Sequence, residues 1–225
     1  MASYSYFKYL PNFEYVSRDK EHKNISDYTE VKNIFKRAKI REDIFSNLMF
    51  FTKYDIIGDE RPDNVAYKTY KDSNLDWVVL LSNNIVNIHS EWPLTQRVFD
   101  KIMLEKYGSY EDLYNGVHHY ETVEIRNTLD VVIMNAGIKV PSNFSITYFD
   151  PGRGEEMVSA GVARPVTNFE YEMAQEDKKR QINLLKPKYL GLVLDDVERL
   201  MPYKKGSTQY VSRTLKRGDD IRMFE

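Results

Sequence analysis

Residues Arg61–Asn87 read RPDNVAYKTYKDSNLDWVVLLSNNIVN, and this stretch decides the fold that the sequence predicts. Pro62 fits the first turn of a helix, where its missing N–H costs no intrahelical hydrogen bond. The first helix is therefore predicted to begin at Pro62 and to end near Lys71. Nothing in the stretch combines an acid, a base or a metal ligand in a catalytic pattern, so its packing is the property to explain.

A second helix is predicted over Asn74–Asn83. Ser73 followed by Asp76 resembles a capping box in which Asp replaces the usual Glu. Asn83-Asn84 ends the helix, because Asn tolerates the left-handed conformation of a C-terminal cap. The helix carries a wide apolar surface, which implies burial between other elements. Its predicted core residues are Trp77, Leu80 and Leu81, broadened by Val78 and Val79.

Two strands are predicted to flank this pair of helices. Ile44–Ile57 is rich in Phe, Ile and Tyr and is typical of a strand that ends at the turn Gly58-Asp59. After the second helix, Ile85-Val86 can return as a strand. The order strand, helix, helix, strand within one short segment predicts a small α+β module.

The rest of the chain alternates helical and extended patterns, so the fold class predicted for the whole is α+β. Further helices are predicted over Asp27–Lys39, Leu94–Tyr107 and Lys188–Met201. Strands are predicted over His119–Thr128, Leu129–Val140 and Phe144–Phe149, with a turn-rich loop at Asp150–Glu156. A β-hairpin is predicted within Val166–Leu185, with arms Asn168–Met173 and Gln181–Leu185 around a charged tip.

The two ends of the sequence differ from the middle. The N-terminal arm Met1–Tyr15 is aromatic and extended in pattern, and it either packs on its own domain or lies on another protein. The tail Lys204–Arg222 is basic. Ordering backbone costs about 1–2 kcal/mol per residue, so both ends are predicted to stay loose until a partner surface compensates that cost.

Composition excludes several classes of protein. The 225 residues carry 32 Lys and Arg against 34 Asp and Glu, a net charge of −2 that does not favour binding to nucleic-acid phosphates. The absence of cysteine excludes disulfides and thiolate zinc sites. The longest apolar run, Trp77–Leu81, is too short to span a bilayer. The 17 tyrosines suit sheet faces and partner surfaces equally well.

Three polar clusters could carry chemistry, and each has a plainer explanation. His118-His119 with Glu121 could suggest a metal, but adjacent strand histidines are expected on opposite faces. The loop Asp150–Glu156 lacks the lysine of a phosphate-binding loop. Asp195-Asp196 keeps a helix soluble. The sequence therefore predicts no catalytic residue, no metal, no cofactor and no small-molecule substrate.

The module resembles a LysM domain, whose element order is also strand, helix, helix, strand. The resemblance lies in Gly58–Asn87. LysM domains usually bind N-acetylglucosamine polymers through two loops, which correspond here to Gly58–Arg61 and Asn84–Asn87. The resemblance implies contact residues in or beside these loops, and those predicted are Gly58, Asp59, Asn84, Asn87 and Trp92.

A second resemblance covers most of the chain, from Tyr28 to Tyr203. The segments ERPDNVAYKTY, LDWVVLLSNNIVNIHSEWPL and VTNFEYEMAQEDKKRQINLLKPKYL are similar to the baseplate wedge protein numbered fifty-three of contractile-tailed phages. In that family the LysM-like unit runs straight into Glu91-Trp92-Pro93, and an N-x-E-Y-E pattern follows at Asn168–Glu172. The residues that match the pattern before the last helix are Ile182, Leu185, Pro187, Tyr189 and Leu190.

This family resemblance implies a structural subunit that completes the wedge and joins neighbouring wedges around the central hub. Its implied partners are other baseplate wedge proteins, with hub proteins as further candidates, in multiple copies. No nucleic acid or membrane partner is implied. The implied location is the tail baseplate of the virion, and the bacterial host cytoplasm during assembly. In this interpretation the LysM-like module that contains Trp77 is rigid, and its loops contact another protein.

Four segments and two alternative functions complete the prediction. Residues 1–43 form an aromatic arm and helix, 44–93 the LysM-like module, 94–165 a helix and β-rich region, and 166–225 a hairpin, C-terminal helix and basic tail. The first alternative is a LysM-type protein that binds peptidoglycan or chitin. The second is an enzyme, such as a wall hydrolase that carries a LysM unit.

Overall fold

The computed structural model describes residues 5–16, 28–206 and 209–218. Its helices are α1 Tyr6–Tyr9, α2 Glu42–Phe45, α3 Pro62–Tyr70, α4 Asp76–Ser82, α5 Ile88–Glu91, α6 Gln96–Tyr107, α7 Tyr110–Asn115, α8 Asn168–Arg180 and α9 Leu190–Leu200. Its first strands are β1 Asn12–Val16, β2 Tyr28–Lys32, β3 Phe51–Asp55, β4 Val117–Thr122, β5 Ile125–Arg126, β6 Val132–Met134 and β7 Lys139–Val140. The later strands are β8 Ser145–Asp150, β9 Glu155–Ala160, β10 Ala163–Thr167, β11 Gln181–Leu185, β12 Tyr210–Ser212 and β13 Leu215–Arg217. Helices and strands together confirm the α+β class.

The chain divides into two compact units. The first combines the described parts of Met1–Trp92 and Gln181–Glu225, and the second is Pro93–Arg180. The second unit is therefore an insertion in the sequence of the first. The four segments predicted from the sequence are drawn differently from these two units and stay predictions.

The first unit contains the helix pair that the sequence predicts. The helix α3 begins at Pro62 and ends at Tyr70, and the residue that caps it, Lys71, is left-handed with a φ of 62°. A short 3-10 turn over Ser73–Leu75 leads into α4. The cap before this turn is Asp72, whose carboxylate accepts the N–H of Asn74 at 2.9 Å, so the predicted cap at Ser73 is wrong.

The core of the first unit forms around α4. Val78 and Val79 are completely buried, and Trp77 is 5% exposed. Leu81 is also buried, whereas Leu80 is only partly buried and packs against the same cluster. These side chains cover the sheet formed by β3 and β11, which are antiparallel and run from Gln181 opposite Asp55 to Leu185 opposite Phe51.

The predicted closing strand at Ile85-Val86 is wrong. These two residues lie between Asn84, which has a φ of 53°, and Asn87, which caps α5, so no length remains for a strand. The strand that pairs with β3 is β11, which follows the inserted unit. Asn83 fixes it, because its side-chain amide donates to the carbonyl of Asn183 at 3.0 Å and accepts that residue's N–H at 2.7 Å.

A four-stranded sheet in the order β12-β13-β1-β2 brings remote segments together. The strand β1 is antiparallel to β2 and parallel to β13. The helix predicted over Asp27–Lys39 is therefore wrong for the described residues from Tyr28, because pairing with β1 overrides the helical spacing. Asp27 lies outside the described residues.

The described parts of the aromatic arm and the basic tail are held within the first unit. The rings of Tyr6 and Tyr9 lie 5.6 Å and 5.7 Å from the ring of Trp77. The hydroxyl of Tyr6 also accepts the N–H of Ala38 at 2.9 Å. The prediction that both ends stay loose is wrong for arm residues 5–15 and tail residues 209–218, which are held within the first unit. Tail residues 204–206 are exposed and lie outside the strands, and residues 1–4, 207–208 and 219–222 lie outside the described residues.

The second unit contains α6, α7 and α8 and three small sheets. The strands β10, β4 and β7 form one sheet, while β5 with β6 and β8 with β9 form antiparallel pairs. Asp150, at the end of β8, is buried and accepts a hydrogen bond from the hydroxyl of Thr128 at 2.6 Å. This contact connects the hairpin β8–β9 to the loop that precedes β6.

The hairpin predicted within Val166–Leu185 is wrong, because Asn168–Arg180 is the helix α8. Thr167 and Glu170 form a capping box in which each side chain accepts the other residue's backbone N–H at 3.2 Å. The last turn carries Lys178, Lys179 and Arg180, which suit the negative end of the helix dipole. Only the predicted second arm, Gln181–Leu185, is a strand.

No helix within residues 5–16, 28–206 and 209–218 is long and apolar enough to cross a membrane.

Candidate partner-contact site

The two loops predicted to contact a partner approach the same pair of residues. The carboxylate of Glu91 accepts the backbone N–H groups of Val86 and Asn87 at 2.6 Å and 2.9 Å. The next residue, Trp92, donates its indole N–H to the carbonyl of Glu60 at 2.9 Å. Because Glu91 and Trp92 are adjacent, both loops lie close together. We name residues Ile57–Arg61 and Asn84–Ile88 the loop surface.

The first loop is held by Glu60. Its carboxylate accepts the hydroxyl of Tyr54 at 2.8 Å and pairs with Lys68. Burial acts to raise the pKa of Glu60, but the hydrogen bonds from Lys68, Tyr54 and the backbone of Ile57 outweigh it and hold the pKa below its ordinary value. The charged carboxylate therefore fixes the loop conformation. Gly58 allows the turn, because its φ is 59°.

The second loop is held from several sides. Arg37 donates to the carbonyl of Ile85 at 3.0 Å. Asn87 accepts the N–H of His89 at 3.0 Å and so caps α5. The hydrogen bonds from Val86 and Asn87 keep the pKa of Glu91 below its ordinary value. The loop is therefore shaped by this chain's own polar groups.

The exposed part of the loop surface includes three large apolar side chains beside its polar ones. Ile57 is 73% exposed and Val86 is 69% exposed, and Ile88 beside them is also exposed. The sequence-based prediction did not include these three residues. Their signal was the position of β-branched residues between turn residues, where no core contact is available.

The predicted contact residues divide into two groups. Gly58, Asp59, Asn84 and Asn87 lie on the loop surface and are exposed. Trp92 is only 5% exposed and belongs to the core cluster of the first unit, so we remove it from the contact set. Its ring joins the first loop to the chain after α5.

The histidine pair of the second unit is arranged differently from the prediction. The Nδ1 atoms of His118 and His119 lie 2.9 Å apart, although adjacent strand residues were expected on opposite faces. Tyr171 of α8 stacks on the ring of His118, with the ring centroids 3.8 Å apart. Burial, followed by electrostatic interaction with His119 and Lys139, lowers the pKa of His118. Among the described residues, no group of three or more possible ligands could hold a metal ion.

Comparison of the chain with known protein families shows which family it belongs to. A family model described as base plate wedge protein 53 matches residues 5–200. The chain belongs to this phage family. None of the curated proteins compared with the chain matches it.

Membership in the wedge protein 53 family confirms the resemblance that the sequence suggested. It makes the chain a structural protein of the phage base plate and places it in the tail of the virion. The match includes the module, the inserted unit and α9, and it ends before β12 and β13. The LysM-like character of the module stays a prediction.

Proposed function

We propose that this base plate wedge protein joins neighbouring wedges around the central hub, and that the loop surface contacts another wedge protein. The proposal is supported by one observation: the loop surface combines backbone groups that are already hydrogen-bonded with apolar side chains that are exposed. The backbone N–H groups of Val86 and Asn87 are already bound by Glu91, while Ile57 and Val86 extend their side chains into water. Such a surface gains free energy by burying apolar area against protein. Under this proposal the chain joins the wedges in the host cytoplasm during assembly and has no catalytic role.

The glycan-binding alternative gains little from this geometry. Specific sugar recognition needs hydrogen-bonding groups that point outward, and several loop groups are used internally by Glu60, Glu91 and Trp92. We therefore expect no heat of binding when N-acetylglucosamine oligomers are titrated into the full chain. Micromolar binding of these oligomers that is lost on replacing Asn84 would instead support the glycan-binding alternative.

A reconstitution tests the wedge-joining function directly. The other wedge proteins of the same phage are assembled without this chain, and sedimentation measures whether they close into rings after it is added. We expect ring formation with the wild type and weaker incorporation of the variant Val86→Ser with Ile57→Ser. The matched control is Leu48→Ser with Met49→Ser, which also removes two exposed apolar side chains, 74% and 75% exposed. Rings that form equally well without the chain contradict the proposal.

A further inference from the structure

A second exposed apolar surface lies on the four-stranded sheet and is formed by residues other than those of the loop surface. A groove of about 600 Å³ is bordered by apolar side chains of β1, β2 and the turn after β2, namely Phe13, Tyr15, Val31, Ile34 and Phe35. We name it the sheet groove. Ile34 is 70% exposed and Phe35 is 92% exposed. Together with Phe13, Tyr15 and Val31 they form one contiguous apolar surface, and large contiguous apolar surfaces mark interaction sites.

The sheet groove lies beside an outer strand. The sheet order puts β2 at one edge, and within the described residues no further strand pairs with it. The N–H of Asn33 binds the carbonyl of Pro11 at 2.9 Å. Because antiparallel pairs alternate, the backbone N–H groups of Glu30 and Lys32 point toward the outer edge. An edge of this kind can accept an additional strand from another chain.

The same part of the molecule is strongly basic. Residues 5–16, 28–37, 203–206 and 209–218 contain nine Lys and Arg against two Glu, whereas the whole chain has a net charge of −2. The positive groups are close enough to affect one another. Burial, and then the charges of Lys216 and Lys204, lower the pKa of Lys36. The amines of Lys36 and Lys216 both lie over the ring of Tyr203, at 4.9 Å and 5.2 Å.

We propose that the sheet groove and the outer edge of β2 bind an extended, acidic segment of another base plate protein, which adds a strand to the sheet. Apolar side chains at alternate positions of that segment would fill the groove, because strand residues i and i+2 share a face. Its carboxylates would meet the basic groups around Tyr203. This inference rests on the proposed function, since the partner is a component of the wedge.

A protein segment fits this site better than a nucleic acid. The most exposed side chains, Ile34 and Phe35, include an aliphatic one that cannot stack on a base. The edge of β2 also offers backbone groups that pair with another backbone. Binding of single-stranded DNA is therefore an outcome against the proposal.

The test uses the full chain and the purified wedge complex assembled without it. Titration of that complex gives the affinity of the wild type and of the variant Ile34→Ser with Phe35→Ser. Both side chains are exposed, so the variant should melt like the wild type. We expect its affinity to fall about ten-fold or more, which is typical of a pair of interface anchors. The control Leu48→Ser with Met49→Ser should bind like the wild type.

A charge reversal tests the acidic character of the partner. Lys204→Glu with Lys205→Glu should weaken binding by about ten-fold at low ionic strength, and the difference should shrink as salt is added. The control Lys53→Glu with Lys178→Glu changes the total charge equally at exposed positions outside the basic region. It should have little effect.

A photoactivatable residue at position 35 identifies what covers the groove. A cross-link to an acidic stretch of a wedge protein supports the proposal. A cross-link within the same chain, a cross-link to a second copy, or loss of single-stranded DNA binding in the Ile34→Ser, Phe35→Ser variant overturns it. If the wild type joins the wedge and the groove variant joins equally well, this inference alone fails. If the wild type does not join the wedge, the proposed function fails as well.

Discussion

Trp77 lies in the core of the first unit. Its ring is 5% exposed and contacts both Tyr6 and Tyr9, which come from the beginning of the chain. One side chain of α4 therefore connects the helix pair with α1. Its position on the buried side could be predicted from helical spacing, but its two aromatic partners could not, because nothing local indicates them.

Replacing Trp77 by Ala should lower the free energy of unfolding by about 3–5 kcal/mol, since a large buried aromatic leaves a cavity. Chemical denaturation of the purified chain measures the change. Tyr67→Ala is the matched control, because Tyr67 is 60% exposed on α3 and should cost less than about 0.5 kcal/mol. Equal losses for both variants would mean that Trp77 does not fill the core.

Glu60 should make the stability of the first unit depend on acidity. Its pKa is below the ordinary value of 4.5, so its hydrogen bonds stabilise the fold above that pH. The stabilisation is lost as the pH falls through the lowered value. The difference in unfolding free energy between wild type and Glu60→Gln should therefore be largest at neutral pH and shrink in acid.

Lys68→Gln should make the same pH dependence shallower, because it removes the strongest donor that lowers the pKa of Glu60. Denaturation at a series of pH values compares the three proteins. Wild type and Glu60→Gln curves that run parallel from neutral to acidic pH would rule out this role.

At the scale of elements, local signals predicted four of the described helices, whereas the helix predicted over Asp27–Lys39 is wrong from Tyr28 onward. The helices α3, α4, α6 and α9 begin and end close to the positions that spacing and capping residues indicate. The helix α8 was missed although its capping box, Thr167 with Glu170, is visible in the sequence. Phe169 and Tyr171 alternate with polar residues, a pattern that also suits a strand.

The pairing of strands could not be predicted from the sequence. Ile85-Val86 is apolar and adjacent to α4, so local pattern favours it over a strand nearly a hundred positions later. The partner of β3 is nevertheless β11, and Asn83 and Asn183 are 100 positions apart. Pairing at such separation depends on the complete fold.

The module should fold only when β11 is present. A chain that ends at Trp92 leaves β3 without its partner and should be unfolded by circular dichroism. Joining Trp92 to Gln181 through a flexible linker of about ten Gly and Ser residues, in place of the second unit, should restore cooperative unfolding.

The control for this splice carries Leu184→Asp and Leu185→Asp, at positions that are 4% and 0% exposed. It should stay unfolded, because two buried charges cannot be compensated in β11. Cooperative folding of the fragment that ends at Trp92 would show that β3 needs no contribution from β11.

At the scale of the molecule, the aromatic arm is part of the fold. The strand β1 lies between β13 and β2, and Arg217 contacts Glu14 at 3.1 Å across 203 positions of sequence. Removing Met1–Tyr15 should therefore destabilise the isolated chain, contrary to the prediction that the arm stays loose until a partner binds it.

We expect this truncation to cost about 3 kcal/mol or more from the lost burial of Tyr6 and Tyr9, which corresponds to a fall in melting temperature of roughly 6–12 °C. Phe7→Ser is the control, since Phe7 is 60% exposed. Hydrogen exchange should also find protected amides in β1 and β13 of the free monomer. Rapid exchange there, with an unchanged melting temperature, would restore the idea of loose assembly arms.

The insertion of the second unit has a consequence for how the protein is made. On the ribosome, β3, α3 and α4 emerge long before β11, and β1 waits until β13 has left the exit tunnel. The nascent chain therefore carries unpaired strand edges while Pro93–Arg180 can already fold as a domain. Pairings of such high contact order form slowly. We expect the first unit to acquire its structure only after β13 has left the exit tunnel, and during this delay a chaperone or the other wedge proteins can protect those edges.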